Sequence, residues 1–128
     1  MNLPELKIGK LVAQVPIIQG GMAIRLSTAP LAAAVANEGG IGLIAASGMG
    51  LDELRKEIRM ARELTGGKGI IGINAMVAAR QFLDLITTAA EEGIDLIVAG
   101  AGFSRDIFAV GKKYGVEVVP IVSSARLA

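Results

Sequence analysis

Apolar residues gather in five short runs: VPIIQG near 15–20, GLIAAS near 42–47, GIIGINAM near 69–76, DLIVAG near 95–100 and VEVVPIVSS near 116–124. Rich in Ile and Val and recurring about every 25 residues, they have the spacing of β-α units. Four helices are predicted between them. The first, over 28–38, has Ser27 or Thr28 as a cap, Pro30 in its first turn and Gly39-Gly40 as a stop. The second, over 51–65, carries an apolar stripe of Leu51, Leu54, Ile58, Ala61 and Leu64; Asp52 with Lys56 and Arg59 with Glu63 stand at i,i+4 on a solvated face. The third, over 80–92, sets Phe82, Leu85, Ile86, Ala89 and Ala90 on one side and stops at Gly93. The fourth, over 104–114, opens at Ser104, buries Ile107, Phe108 and Tyr114, and ends at Gly115.

Strand and helix alternating through short connections imply a parallel sheet with right-handed crossovers. Two α/β architectures fit. Five strands complete a flavodoxin-like open parallel sheet, whereas a closed (β/α)8 TIM barrel takes about 250 residues. The chain stops at SSARLA, where a fifth helix would begin, so an open sheet would lack its last covering layer. The expectation is therefore one partial domain over 1–128, the N-terminal five-strand portion of a barrel, truncated after the fifth strand.

Composition sharpens this picture. Half the chain is hydrophobic yet only 3% is aromatic, with no Trp, which suits strands buried on both faces under Ala- and Leu-rich helices. A net charge of +1 with no basic, aromatic-interleaved segment argues against a nucleic-acid partner. The absence of Cys excludes disulfides and thiolate metal sites, and the absence of His removes the commonest acid-base group and metal ligand. The N-terminus is charged where a signal peptide is apolar, and no apolar run approaches the roughly 18 residues of a membrane span, so a cytoplasmic protein without a membrane partner is expected.

Candidate chemistry falls on the loops that follow the strands, the functional edge of either architecture. After the first run, Gly20 and Gly21 followed by Met22 and Ala23 form either a tight turn or a backbone stripped of Cβ atoms for a flat ligand. Asn74 interrupts the apolar third run; its amide either meets a ligand's polar edge or ties down a neighbouring loop. GAGFSR at 100–105 offers backbone N–H groups at a helix start but lacks the third glycine of a dinucleotide fingerprint. GGIGLIA at 39–45 lies on the wrong side of its unit and reads as a helix stop and strand entry. Ser123 and Ser124 either donate hydroxyls to a ligand or cap a following helix. Asp95 and Glu117 stand at strand beginnings, the face associated with stability, so no acid or base can be assigned.

Taken in order, VPIIQGGMA, LAAAVANEGGIGLIAASGM, ELRKEIRMARELT, GINAMV, EEGIDLIVAGAGF and VVPIVSSARLA resemble the N-terminal part of the nitronate monooxygenase family, formerly 2-nitropropane dioxygenases. That group includes the flavin-dependent enoyl-acyl-carrier-protein reductases. The resemblance implies a barrel holding FMN at its carboxyl mouth and acting on a small-molecule substrate. The activity is oxidation of alkyl nitronates with molecular oxygen or, in the other branch, reduction of an enoyl thioester. It places Gly20, Gly21, Met22 and Ala23 against the isoalloxazine ring, Asn74 in a hydrogen bond to the flavin, Gly100 and Ala101 beside the ring or substrate, and Ser123 facing the cofactor. The family's catalytic histidine belongs to an EAGGH-like motif that would lie beyond Ala128, so no catalytic residue is carried over, FMN is held weakly or not at all, and the chain alone is expected to be inactive. A reading of another class is a non-enzymatic half-barrel that self-associates through its open sheet edges as a homo-oligomer.

Overall fold

The computed structural model describes residues 2–128. A short antiparallel hairpin, β1 (Leu6–Ile8) and β2 (Leu11–Ala13), precedes four β-α units. These comprise α1 (Ala29–Asn37), β3 (Ile41–Ala45), α2 (Leu51–Leu64), β4 (Ile70–Met76), α3 (Phe82–Glu91), β5 (Leu96–Gly100), α4 (Asp106–Tyr114) and β6 (Glu117–Pro120). The sheet order is β3-β4-β5-β6, all parallel, so every strand lies beside its predecessor. A flavodoxin-like sheet reverses its strand order part-way, which excludes that alternative.

The predicted strand at 15–20 is reduced to one parallel bridge, Ile18 with Ile41. Pro16 is the cause. It has no N–H, and around it the Ile17 N–H turns back to the Val15 carbonyl at 2.8 Å, a bend that takes residues out of the ladder. The segment still occupies the edge beside β3, with Ile41 N–H donating to the Ile17 carbonyl at 2.9 Å and Gln19 N–H to the Ile41 carbonyl at 3.0 Å. The last run is also shorter than expected, ending as a strand at Pro120.

Alternation along the strands separates two faces. The outer face presents Ile44, Ile71, Ile73, Ala75, Ile97 and Ala99 to the buried sides of the helices. The inner face presents Ile41, Leu43, Leu96 and Val98, against which the hairpin packs Leu6, Ile8, Leu11 and Ala13. The hairpin was not anticipated; its three-residue strands are too short to show a period. It plugs the strands' starting ends, where the Lys10 N–H donates to Glu117 at 3.0 Å and the Lys10 ammonium bonds the Gly115 carbonyl.

Close helix-to-sheet contact depends on Gly42. A Cβ there would lie inside the carbonyl group of Ala32 on α1. Helix ends follow expectation at Gly39 and Gly115, both at positive φ, but the expected Ser27 or Thr28 side-chain cap is absent. Instead Glu57 of α2 reaches across to the Ala29 N–H at 2.6 Å. Phe108, expected in the core, is 43% exposed because Ile107 and Val110 define the buried face of α4.

The charged face of α2 is also not simply solvated. Arg59 forms a two-pronged bond to Glu92 at 2.8 Å per contact rather than pairing with Glu63, and Arg62 meets Asp95 at 2.9 Å. Asp52 pairs with Arg55 at 3.3 Å. The Arg59 and Arg62 contacts staple α2 to the α3–β5 connection. Hydrogen bonding from Arg59 holds the Glu92 carboxyl below the usual carboxylate range.

Gly42→Ala should destabilise the fold by about 3 kcal/mol or abolish folding. Gly20→Ala, whose Cβ would meet nothing within 4 Å, should leave urea unfolding within about 0.5 kcal/mol of the parent. Because Glu92 is more acidic folded than unfolded, its contribution is complete above the unfolded value, about 4.3, and is lost as pH falls through the folded one. The urea midpoint should therefore fall between about pH 5 and pH 3 more steeply in the parent than in Glu92→Gln; parallel profiles would contradict the pairing.

Candidate functional site

At the carboxyl ends of the strands the inner face changes character. Asn74 is flanked across the sheet by Ala45 and Val98, and Met76 by Gly100. Beyond the hairpin's reach this end of the wall stays open, with Met76 and Ile121 exposed.

Gln19 creates the loop that overhangs it. Its backbone leaves β3 after the bond to Ile41, but its side chain continues the ladder: Oε1 accepts from the Leu43 N–H and Nε2 donates to the Leu43 carbonyl, each at 3.1 Å. A primary amide carries the same donor and acceptor as a peptide group, so it satisfies both groups of Leu43 while the main chain turns away. The Leu43 N–H can only donate, which sets the orientation of the Gln19 amide.

Ser27 anchors the loop's return. Fully buried, its Oγ accepts from Gln19 Nε2 at 2.8 Å and the Met22 N–H at 2.9 Å and donates to the Gly20 carbonyl at 3.0 Å. The Ser27 N–H donates to the Met22 carbonyl at 3.0 Å, closing the turn. At the tip, Arg25 adopts a positive φ of 56° and grips Glu53 on α2 through contacts of 2.8 and 3.1 Å. Those hydrogen bonds raise the Arg25 pKa and lower that of Glu53.

The two adjacent glycines have different physical reasons. A Cβ on Gly21 would overlap the Asn74 side chain, and the Asn74 Nδ2 donates to the Gly21 carbonyl at 3.4 Å. The tie-down reading of Asn74 is thus realised. Gly20 faces open space, has no positive φ, and is required by nothing within the described chain.

The structure brings Gly20, Gly21, Met22 and Asn74 together, with Ala23 following on the exposed part of the loop. Gly100 lies one strand further along, its carbonyl accepting from the Val77 N–H at 2.8 Å. Ala101 has a positive φ of 53°, an unfavourable conformation for alanine that concentrates at functional sites. Ser123 lies beyond, in a cleft with Gly102, Phe103, Ile121, Val122 and Leu127. Sequence reasoning missed the bridging roles of Gln19 and Ser27; the signal was a glutamine closing an apolar run just before two glycines. Among the described residues no cluster of His, Cys, Asp or Glu has metal-binding geometry, and no helix is long and apolar enough to cross a membrane.

An inward-facing sheet in sequential order, helices on its outer face and an overhanging loop at the strand exits constitute the N-terminal portion of a (β/α)8 barrel. The chain belongs to the nitronate monooxygenase family, whose model it matches over residues 5–126. It is similar to FabK from Thermotoga maritima, with a TM-score of 0.81 and 36% identity over 88% of this chain and 35% of that one. It shares the fold of a nitroalkane oxidase from Streptomyces ansochromogenes, with a TM-score of 0.73 and 22% identity over 84% of this chain and 40% of that one. A Mycobacterium tuberculosis (strain ATCC 25618 / H37Rv) protein, (3aS,4S,5R,7aS)-5-hydroxy-7a-methyl-1-oxo-octahydro-1H-indene-4-carboxyl-CoA dehydrogenase, is 29% identical over 113 residues, 88% of this chain and 31% of that protein. The chain thus spans about a third of the length of these relatives.

Gln19→Met keeps the length of the side chain but strips Leu43 of both partners. It should cost about 2–3 kcal/mol in urea unfolding and accelerate hydrogen exchange at the Leu43 amide; unchanged exchange there would contradict the substitute-ladder role.

Proposed function

We propose that residues 1–128 form one partial-barrel domain that supplies the first wall of an FMN-dependent oxidoreductase site, whose intact parent oxidises alkyl nitronates with molecular oxygen. The observation that carries this reading is the pairing of Gly21 with Asn74 beneath an unobstructed Gly20, on the open end of the inner face. These residues fit one edge of a flat ring. Gly20 leaves room for a ring to approach the backbone, and the bond to Gly21 takes only one of the two N–H hydrogens of the Asn74 amide. Met22 and Ala23 would line the same side, Gly100 and Ala101 would border the ring or substrate, and Ser123 would turn its hydroxyl toward them.

FMN would supply two-electron redox chemistry at this wall. The chain's own work is positional. Ser27 and Gln19 hold the loop, Asn74 orients a polar edge, and the hairpin excludes water from the opposite end of the interior. No proton-transfer residue is assigned within the chain.

A second reading is reduction of a thioester-linked substrate, as in the enoyl-reductase branch; its thioester part is favoured by the M. tuberculosis relative, a dehydrogenase whose name specifies a carboxyl-CoA substrate. Consumption of a reduced nicotinamide with enoyl thioesters by a full-length parent would select it over nitronate oxidation.

The purified 128-residue chain should neither quench micromolar FMN fluorescence nor consume oxygen with a nitronate. At millimolar FMN, nuclear magnetic resonance should show shifts of the Gly20, Gly21, Met22 and Asn74 amides. Measurable turnover would refute the expected inactivity, and shifts confined to the hairpin end would refute the site.

A further inference from the structure

The loop that carries Gly20, Gly21 and Met22 is fixed at both ends and sparsely tied between them. Gln19 holds its departure from β3 and Ser27 its return. Across Ala23, Ile24 and Arg25 the only hydrogen bonds among the described residues are the two from the Arg25 side chain to Glu53, at 2.8 and 3.1 Å.

Backbone and partner both fit a fixed geometry. Arg25 stands at a φ of 56°, which a residue other than glycine keeps only where its surroundings hold it. Glu53 sits in the first turn of α2, which α1 and α3 flank, so this anchor belongs to the interior of the described wall and not to its open edges. The helix dipole favours a carboxylate in that turn. Hydrogen bonding from Arg25, with a smaller share from the Gly50 backbone, holds the Glu53 carboxyl below the usual carboxylate range.

This pair does little for the fold as a whole. Its side chains are 55% and 36% exposed, and ion pairs in water contribute little to global stability. Its effect is instead local, selecting one arrangement of a tip that has no other polar tie. The Met22 N–H and carbonyl close the turn on Ser27, so a tip released at Arg25 loosens at Met22.

We propose that Arg25 and Glu53 are a positioning pair: touching no ligand themselves, they register the glycine loop against α2 so that Gly20, Gly21 and Met22 present one preformed backbone beside Asn74. The consequence for a ligand rests on the flavin site proposed above; the hold on the loop does not. Such preorganisation raises affinity by removing an ordering cost from the binding step.

The test compares Arg25→Gln, Glu53→Gln and the double variant of the isotopically labelled chain. Without flavin, the Met22 and Ser27 amides should exchange about two- to fivefold faster in each single variant, with urea midpoints close to that of the parent. In FMN titrations followed at the Gly20 and Gly21 amides, both single variants should bind about two- to fivefold more weakly, and the double variant no more weakly than either. The sign is diagnostic. FMN is an anion, so a direct charge effect would weaken binding in Arg25→Gln and strengthen it in Glu53→Gln, whereas lost positioning weakens both. Opposite signs, effects that add in the double variant, or unchanged exchange at Met22 and Ser27 would each overturn the proposal. If the parent itself shows no FMN shifts at Gly20 and Asn74, the flavin site fails, and the exchange comparison still decides whether the pair holds the loop.

Discussion

Handedness is the constraint on which this structure depends. Each crossover lays the next strand beside the last, and parallel crossovers are right-handed, so α2, α3 and α4 fall on the same face of the sheet as α1. One face is thereby committed to helix packing and the other is left free. Gly42 shows how tightly the committed face is built, with α1 approaching until a methyl group cannot fit. The free face divides instead into a half filled by the hairpin and a half that holds Asn74 and is bare at Met76.

Polar groups stranded by this arrangement are satisfied over long sequence distances. Gln19 replaces a peptide for Leu43, Glu57 caps α1 from the next helix, and Asp95 accepts the Ile71 N–H at 2.9 Å. Each is a side chain taking over a backbone duty where a strand or helix ends, the places where unpaired groups accumulate. The candidate site grows from the first of these. Only because the Gln19 amide keeps the edge of β3 paired can the main chain lift off and carry two glycines over the strand ends.

The elements governed by local rules were legible before the fold was known. The four helices fall within two residues of their predicted ranges, because period, proline and glycine act over a few residues. What failed were chiefly inferences about which groups would pair. Arg59 and Glu63 have the spacing of a helical ion pair, yet Glu92, 33 residues away, offers better geometry. The first strand was overestimated because Ile and Val content outweighed the bend at Pro16. At the candidate site the glycine pair was visible, but the division of labour between Gly20 and Gly21 was not, since it depends on Asn74, 53 positions later. The Phe103 cleft was illegible for the same reason: its two sides come from different strand exits.

The hairpin gives the wall a polarity. Leu6, Ile8 and Leu11, wedged against Ile41, Leu43 and Leu96, cover the inner face at the strands' starting ends, while the same face at the exits keeps Met76 and Ile121 in water. Apolar shelter and access to solvent are thus assigned to opposite ends of one sheet, by a short segment that precedes it.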